Sequence, residues 1–123
     1  MMFEFATAGR IVFGRGAAAG IGRAAAAPGR RIFVLTGSRR DRWGFLWDDL
    51  QACGLAWECF GIVREPTVAI AEKAVAGAQA FGADVVLGIG GGSVIDAAKA
   101  VAAKLPNPGA LPDYLEVVGR GKP

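Results

Sequence analysis

The stretch Ala83-Asp84-Val85-Val86-Leu87-Gly88-Ile89-Gly90-Gly91-Gly92-Ser93-Val94-Ile95-Asp96-Ala97-Ala98-Lys99 decides the fold. Its opening, Ala83–Ile89, is an apolar run of the kind found in strands buried on both faces. Val94 to Lys104 carries apolar residues at helical spacing, and Pro106 and Pro108 close it. Between strand and helix stand three consecutive glycines and Ser93. Strand, glycine turn and helix in that order are the repeating unit of a parallel sheet covered by helices.

The same alternation continues upstream. Arg31–Thr36 (RIFVLT) reads as a second strand buried on both faces, and Leu55–Phe60 as a third strand. Trp43 to Cys53 reads as a helix stopped by Gly54, and Val68 to Phe81 as another, with Ile70, Val75 and Phe81 on its apolar side. Phe3–Ala6 and Arg10–Gly14 form a predicted hairpin across Thr7-Ala8-Gly9. Gly16 to Ala27 is Ala-rich and ends at the helix-stop signal Pro28-Gly29. The tail to Pro123 reads as loop, with one helical turn around Asp113–Val117. The expected fold class is α/β, an N-terminal β-hairpin plus a Rossmann-like parallel sheet flanked by helices, with residues 1–123 as one domain.

Composition narrows the chemistry. The chain has 123 residues, 53% apolar and 20% charged, which suits a folded domain. Histidine is absent, so a His metal site, a Ser-His-Asp triad and a Cys-His pair are excluded. Asp48–Asp49 is an adjacent pair whose side chains diverge on a helix, and it reads as a solvated face. Net charge is +3, with basic residues grouped at Arg30–Arg31 and Arg39–Arg40–Arg42. No aromatic-interleaved basic stripe accompanies them, so nucleic acid is not an expected partner. Cys53 and Cys59 do not make a C-x-x-C and read as buried free thiols in a reducing, cytoplasmic setting. No signal peptide is visible, and the apolar stretch Val85–Ile95 is too short to span a membrane.

Two glycine-rich segments invite a nucleotide. Gly16-Ala17-Ala18-Ala19-Gly20-Ile21-Gly22 has the G-x-x-x-G-I-G spacing of the short-chain dehydrogenase loop. That family's Tyr-x-x-x-Lys pair is missing, since Tyr114 is followed at that spacing by Val118. An Ala/Gly-rich surface helix is the plainer reading. Gly90-Gly91-Gly92-Ser93 is better placed, between strand and helix. Glycines let backbone N–H groups approach an anion without Cβ interference, and the helix start adds free donors and partial positive charge. Ser93 is expected to offer a hydroxyl at the cap position. Asp96 and Lys99 read either as part of the site or as a first-turn acid and an i,i+3 pair.

GIGGGSVIDAAKAVA resembles the G-G-G-S-x-x-D-x-A-K signature of the iron-containing (group III) alcohol dehydrogenases. Gly9–Gly16 resembles that family's opening hairpin and first turn. Glu65-Pro66-Thr67 resembles its Pro-containing loop, and Asp113-Tyr114-Leu115-Glu116 the segment leading to its domain junction. The resemblance implies an NAD(P)-dependent oxidoreductase of alcohols and aldehydes, this chain being the dinucleotide-binding half. It implies that Gly91, Gly92 and Ser93 contact the pyrophosphate, in a cofactor-anchoring loop that begins at Gly90, with Asp96 and Lys99 near the phosphate–ribose region. Gly37 stands where the family often has Asp, so a 2′-phosphate meets no repulsion, and Ser38 and Arg39 can donate to it. NADP is therefore expected to be tolerated or preferred over NAD. Iron or zinc belongs, by resemblance, to an all-helical domain with one acid and three histidines, none of them in this chain. No catalytic or metal residue is expected here. The implied partner is that metal domain, in cis or in trans, with self-association as a further possibility. The chain alone is expected to turn over nothing. Maleylacetate reductases and dehydroquinate synthases share the scaffold and stand as alternatives, as does a non-catalytic nucleotide-binding fragment. Ser93 with Asp96 and Lys99 favours the alcohol dehydrogenase branch.

Overall fold

The computed structural model describes residues 20–27, 29–63 and 65–105. Its elements are helix α1 (Ile21–Ala26), strand β1 (Arg31–Thr36), a 3-10 turn (Arg40–Trp43), helix α2 (Gly44–Ala52), strand β2 (Ala56–Gly61), helix α3 (Val68–Phe81), strand β3 (Val85–Ile89) and helix α4 (Gly92–Lys104). The three strands are parallel in the order β2-β1-β3. The predicted N-terminal hairpin and the helical turn near Asp113 lie outside the described residues. The helix predicted from Gly16 is described only from Gly20.

β1 is central, and its five residues Ile32–Thr36 are all buried. Alternation along the strand divides them between two layers. Ile32 and Val34 face α1 and α2, packing with Ala25, Leu46, Leu50 and Leu55. Phe33 and Leu35 face α3 and α4, packing with Ala74, Ala78, Val94, Ala97 and Val101. Trp47 and Trp57 stack on the first face, ring centroids 6.2 Å apart. β3 corrects an expectation, because all five of its residues are only half-buried. Among the described residues it is an edge strand with one neighbour, while β1 has two.

Helix ends follow local chemistry. Thr67 caps α3 by accepting a hydrogen bond from Ile70 N–H at 3.2 Å. α2 and α3 each end on a left-handed glycine, Gly54 (φ 71°) and Gly82 (φ 74°). In both, the paired bonds of a Schellman closure form, Leu55 N–H to Leu50 C=O with Gly54 to Gln51, and Ala83 to Ala78 with Gly82 to Gln79. These closures take Leu55 and Ala83 out of the strands that sequence alone assigns to them. Cys53 and Cys59 are free thiols, half-buried where full burial was expected.

Two carboxylates fasten elements together. Asp49 accepts a hydrogen bond from Gly22 N–H at 2.6 Å, tying α2 to the first turn of α1. A Cβ at Gly22 would lie 2.5 Å from that carboxylate, so this glycine serves close packing. Asp49 is thus half-buried and engaged, against the solvated reading, while Asp48 is exposed. Asp84 accepts from Arg30 N–H and Arg31 N–H at 2.8–3.1 Å, pinning the start of β1 to the start of β3. Arg31 in turn donates to Phe81 C=O at the end of α3.

Candidate functional site

Where β1 and β3 end, the chain turns in opposite directions. β1 leads through α2 to β2 on one side, and the return passes through α3 to β3 on the other. A crevice opens at such a switch point, outside the carboxyl ends of the strands. Here it is a cleft of about 180 Å³ lined by Gly37, Ser38, Arg39, Arg42, Trp43, Gly90 and Gly91. Five of the residues singled out from sequence, Gly37, Ser38, Arg39, Gly90 and Gly91, therefore meet in one hollow.

Gly92 and Ser93 continue directly from the cleft as the first two residues of α4. Val94 N–H and Ile95 N–H both turn back to Gly91 C=O at 3.1 Å. Among the described residues, Gly92 N–H and Ser93 N–H have no acceptor. These are two of the donors that every helix start leaves unsatisfied. Among the described residues, a Cβ built on Gly91 or Gly92 meets nothing within 4 Å, and neither residue has a positive φ. Nothing among the described residues demands glycine at either position. Gly90 differs, with φ 151° and Val94 3.0 Å from a Cβ placed on it. Gly88 differs again, because its Cβ would sit 2.6 Å from Ala98 Cβ. It lets α4 lie close on β3, the packing role of a glycine in dinucleotide-binding turns.

The side chains correct the sequence reading in part. Ser93 is not the N-cap of α4; Gly91 holds that place and has no side chain to cap with. The glycine run reads as loop by propensity, yet Gly92 already belongs to the helix. Ser93 Oγ instead donates to Glu65 Oε1 at 3.0 Å, across to the loop before α3. Asp96 and Lys99 are exposed and do not line the cleft. Lys99 lies seven residues past Gly92, about 10 Å along the helix axis.

Arg39 is engaged by Asp41 through two bonds of 3.1–3.2 Å, on an exposed turn. The pairing pushes the Arg39 guanidinium up and holds the Asp41 carboxyl below the usual carboxylate range. Arg40 donates to Cys59 C=O at 3.1 Å. Sequence reasoning missed Arg42, Trp43 and Glu65 as neighbours of the glycine loop. The position of Arg42 and Trp43 just past a buried strand was the available signal. Glu65 carried none, since its loop lies 28 residues from Ser93.

A larger hollow, about 410 Å³, lies against Ala83, Asp84, Val86, Ala102 and Leu105, at the other end of β3. Its acid is already engaged by Arg30 and Arg31 N–H. Among the described residues no three His, Cys, Asp or Glu side chains converge as a metal site. No described helix is long and apolar enough to cross a membrane.

The sequence profile of the iron-containing alcohol dehydrogenases matches residues 8–123. This chain belongs to that family. It is 32% identical over 93 residues to sulfoacetaldehyde reductase of Bilophila wadsworthia, covering 72% of this chain and 24% of that protein. It is 32% identical over 106 residues to NADH-dependent butanol dehydrogenase B of Clostridium acetobutylicum, covering 82% and 27%. Among solved structures, NADH-dependent butanol dehydrogenase A of Thermotoga maritima superposes with a TM-score of 0.81 at 34% identity, covering 92% of this chain and 30% of that one. The α/β sheet is thus that of the iron-containing alcohol dehydrogenases, and the chain spans about a quarter to a third of the length of these relatives.

Proposed function

We propose that the cleft between β1 and β3 binds a nicotinamide dinucleotide, and that residues 1–123 act as the nucleotide-binding domain of an NAD(P)-dependent oxidoreductase of alcohols and aldehydes. One observation carries the reading. Among the described residues, nothing requires Gly91 or Gly92 to be glycine, both stand exposed, and they lead into two N–H groups without acceptors. A pyrophosphate gives glycine a purpose there. Its oxygens accept from Gly92 N–H and Ser93 N–H, and the start of α4 adds partial positive charge. Gly90 and Gly91 line the cleft beside these donors.

Gly37 and Ser38 line the same cleft and serve the adenosine ribose. With glycine in place of an acid at Gly37, a 2′-phosphate meets no repelling carboxylate at that position, although Arg39 is shared with Asp41. Arg39 and Arg42 supply positive charge to it. NADPH is therefore expected to bind at least as well as NADH. Asp96 and Lys99, exposed on α4 outside the cleft, lie past the phosphate donors and carry no direct contact in this reading. The nicotinamide supplies the hydride chemistry when bound. The described residues offer no fit for iron or zinc, and no step is derived through a metal on this chain. In this reading the metal belongs to the helical domain of the family, joined in cis or in trans, and the site of action is cytoplasmic.

The test is a titration of the purified 123-residue chain with NADPH and NADH, followed by fluorescence, for the parent and for Gly92→Val. Gly92→Val places a branched side chain where the pyrophosphate would lie, and an affinity loss of at least tenfold is expected. Unchanged affinity overturns the cradle. Affinity tenfold better for NADH than for NADPH overturns the assignment of Gly37, Ser38 and Arg39 to a 2′-phosphate.

A further inference from the structure

The bond from Ser93 Oγ to Glu65 Oε1, at 3.0 Å, bears on how the glycine loop receives an anion. A serine hydroxyl has one hydrogen to give. While Glu65 takes it, Ser93 cannot donate it to a phosphate. Glu65 sits in the loop between β2 and α3, and is held there by no other hydrogen bond among the described residues. It is exposed, and Ser93 is half-buried, so the bond exchanges readily with solvent.

We propose that Glu65 is a positioning residue that acts through Ser93: it withholds the Ser93 hydroxyl from the dinucleotide phosphates and so sets cofactor affinity below what the loop can reach. The inference rests on the reading of Gly90–Ser93 as a pyrophosphate site. The entering cofactor either breaks the Ser93–Glu65 bond or binds without the hydroxyl. In both cases Glu65 weakens binding, by about the three- to tenfold that one ordinary hydrogen bond is worth net. Two routes to this effect are separable. A carboxylate acting through Ser93 has no influence once the hydroxyl is gone. A carboxylate repelling the phosphates directly acts whether or not Ser93 is serine.

The test is a double-mutant cycle on the 123-residue chain, with NADPH affinity measured for the parent, Glu65→Ala, Ser93→Ala and the double variant. Glu65→Ala should tighten binding about three- to tenfold in the parent and leave it unchanged in the Ser93→Ala background. Glu65→Gln keeps an acceptor for the hydroxyl and should gain less than Glu65→Ala. A purely structural role would not produce this ordering. Circular dichroism checks that each variant is folded; if Glu65→Ala is not, Glu65→Gln completes the cycle with a smaller expected gain that still vanishes with Ser93→Ala. Equal gains in both backgrounds, or no gain in either, overturn the inference. Gly92→Val is run alongside. If it lowers affinity while the cycle shows no coupling, the inference alone fails. If it leaves affinity unchanged, the pyrophosphate site fails and the inference with it.

Discussion

Gly88 and Gly92 stand four residues apart and are glycine for opposite reasons. At Gly88 the protein itself excludes a side chain, with Ala98 Cβ 2.6 Å from where a Cβ would be. At Gly92 no described residue comes within 4 Å of that place. Gly88→Ala should cost about 1–3 kcal/mol by forcing α4 off β3. Gly92→Ala should leave stability unchanged or raise it by about 0.4–1 kcal/mol, because a helical glycine gains from the methyl group. Urea unfolding of the two variants checks the contrast; a comparable loss at both sites would contradict a ligand-facing role for Gly92. Sequence places Gly88 inside the strand and Gly92 in the turn, but it does not show that Ala98 closes the space at one and leaves it open at the other. The direction of the Ser93 hydroxyl was equally hidden, because its acceptor comes from a distant loop.

At the scale of elements, helix α3 was legible to the residue. A capping threonine, an unbroken apolar face and a terminal glycine agree on its ends. The starts of β2 and β3 were not, because Leu55 and Ala83 close the preceding helices before the strands begin. Asp84 holds two such elements together, and a prediction in pH follows from it. The N–H groups of Arg31 and Arg30 hold its carboxyl below the usual carboxylate range. A carboxyl depressed on folding contributes stability that is present above its unfolded value, about pH 4, and lost as pH falls through the lower folded value. Acid unfolding of the parent should therefore steepen below about pH 4. Asp84→Asn should flatten that slope while changing neutral-pH stability modestly, as measured by urea midpoints from pH 6 downward. An unchanged slope would remove Asp84 from the acid sensitivity.

At the scale of the molecule, strand order was legible only as a class. Alternating strands and helices imply a parallel sheet, but which strand is central follows from the packing. β1 and β3 look alike as apolar runs, yet one is buried throughout and the other is half-buried at the edge. That order places the ends of β1 and β3 beside the switch point, and hence Gly37 beside Gly90, 53 residues along the chain. The two halves of the proposed cofactor site are united by topology alone. The most direct test of that union is amide chemical-shift mapping of the 123-residue chain with NADPH. The account predicts that Gly91, Gly92 and Ser93 shift together with Gly37 and Ser38, with one saturation curve for both groups. Shifts confined to other surfaces, such as the hollow at Asp84 and Leu105, or separate saturation of the two groups, would contradict it.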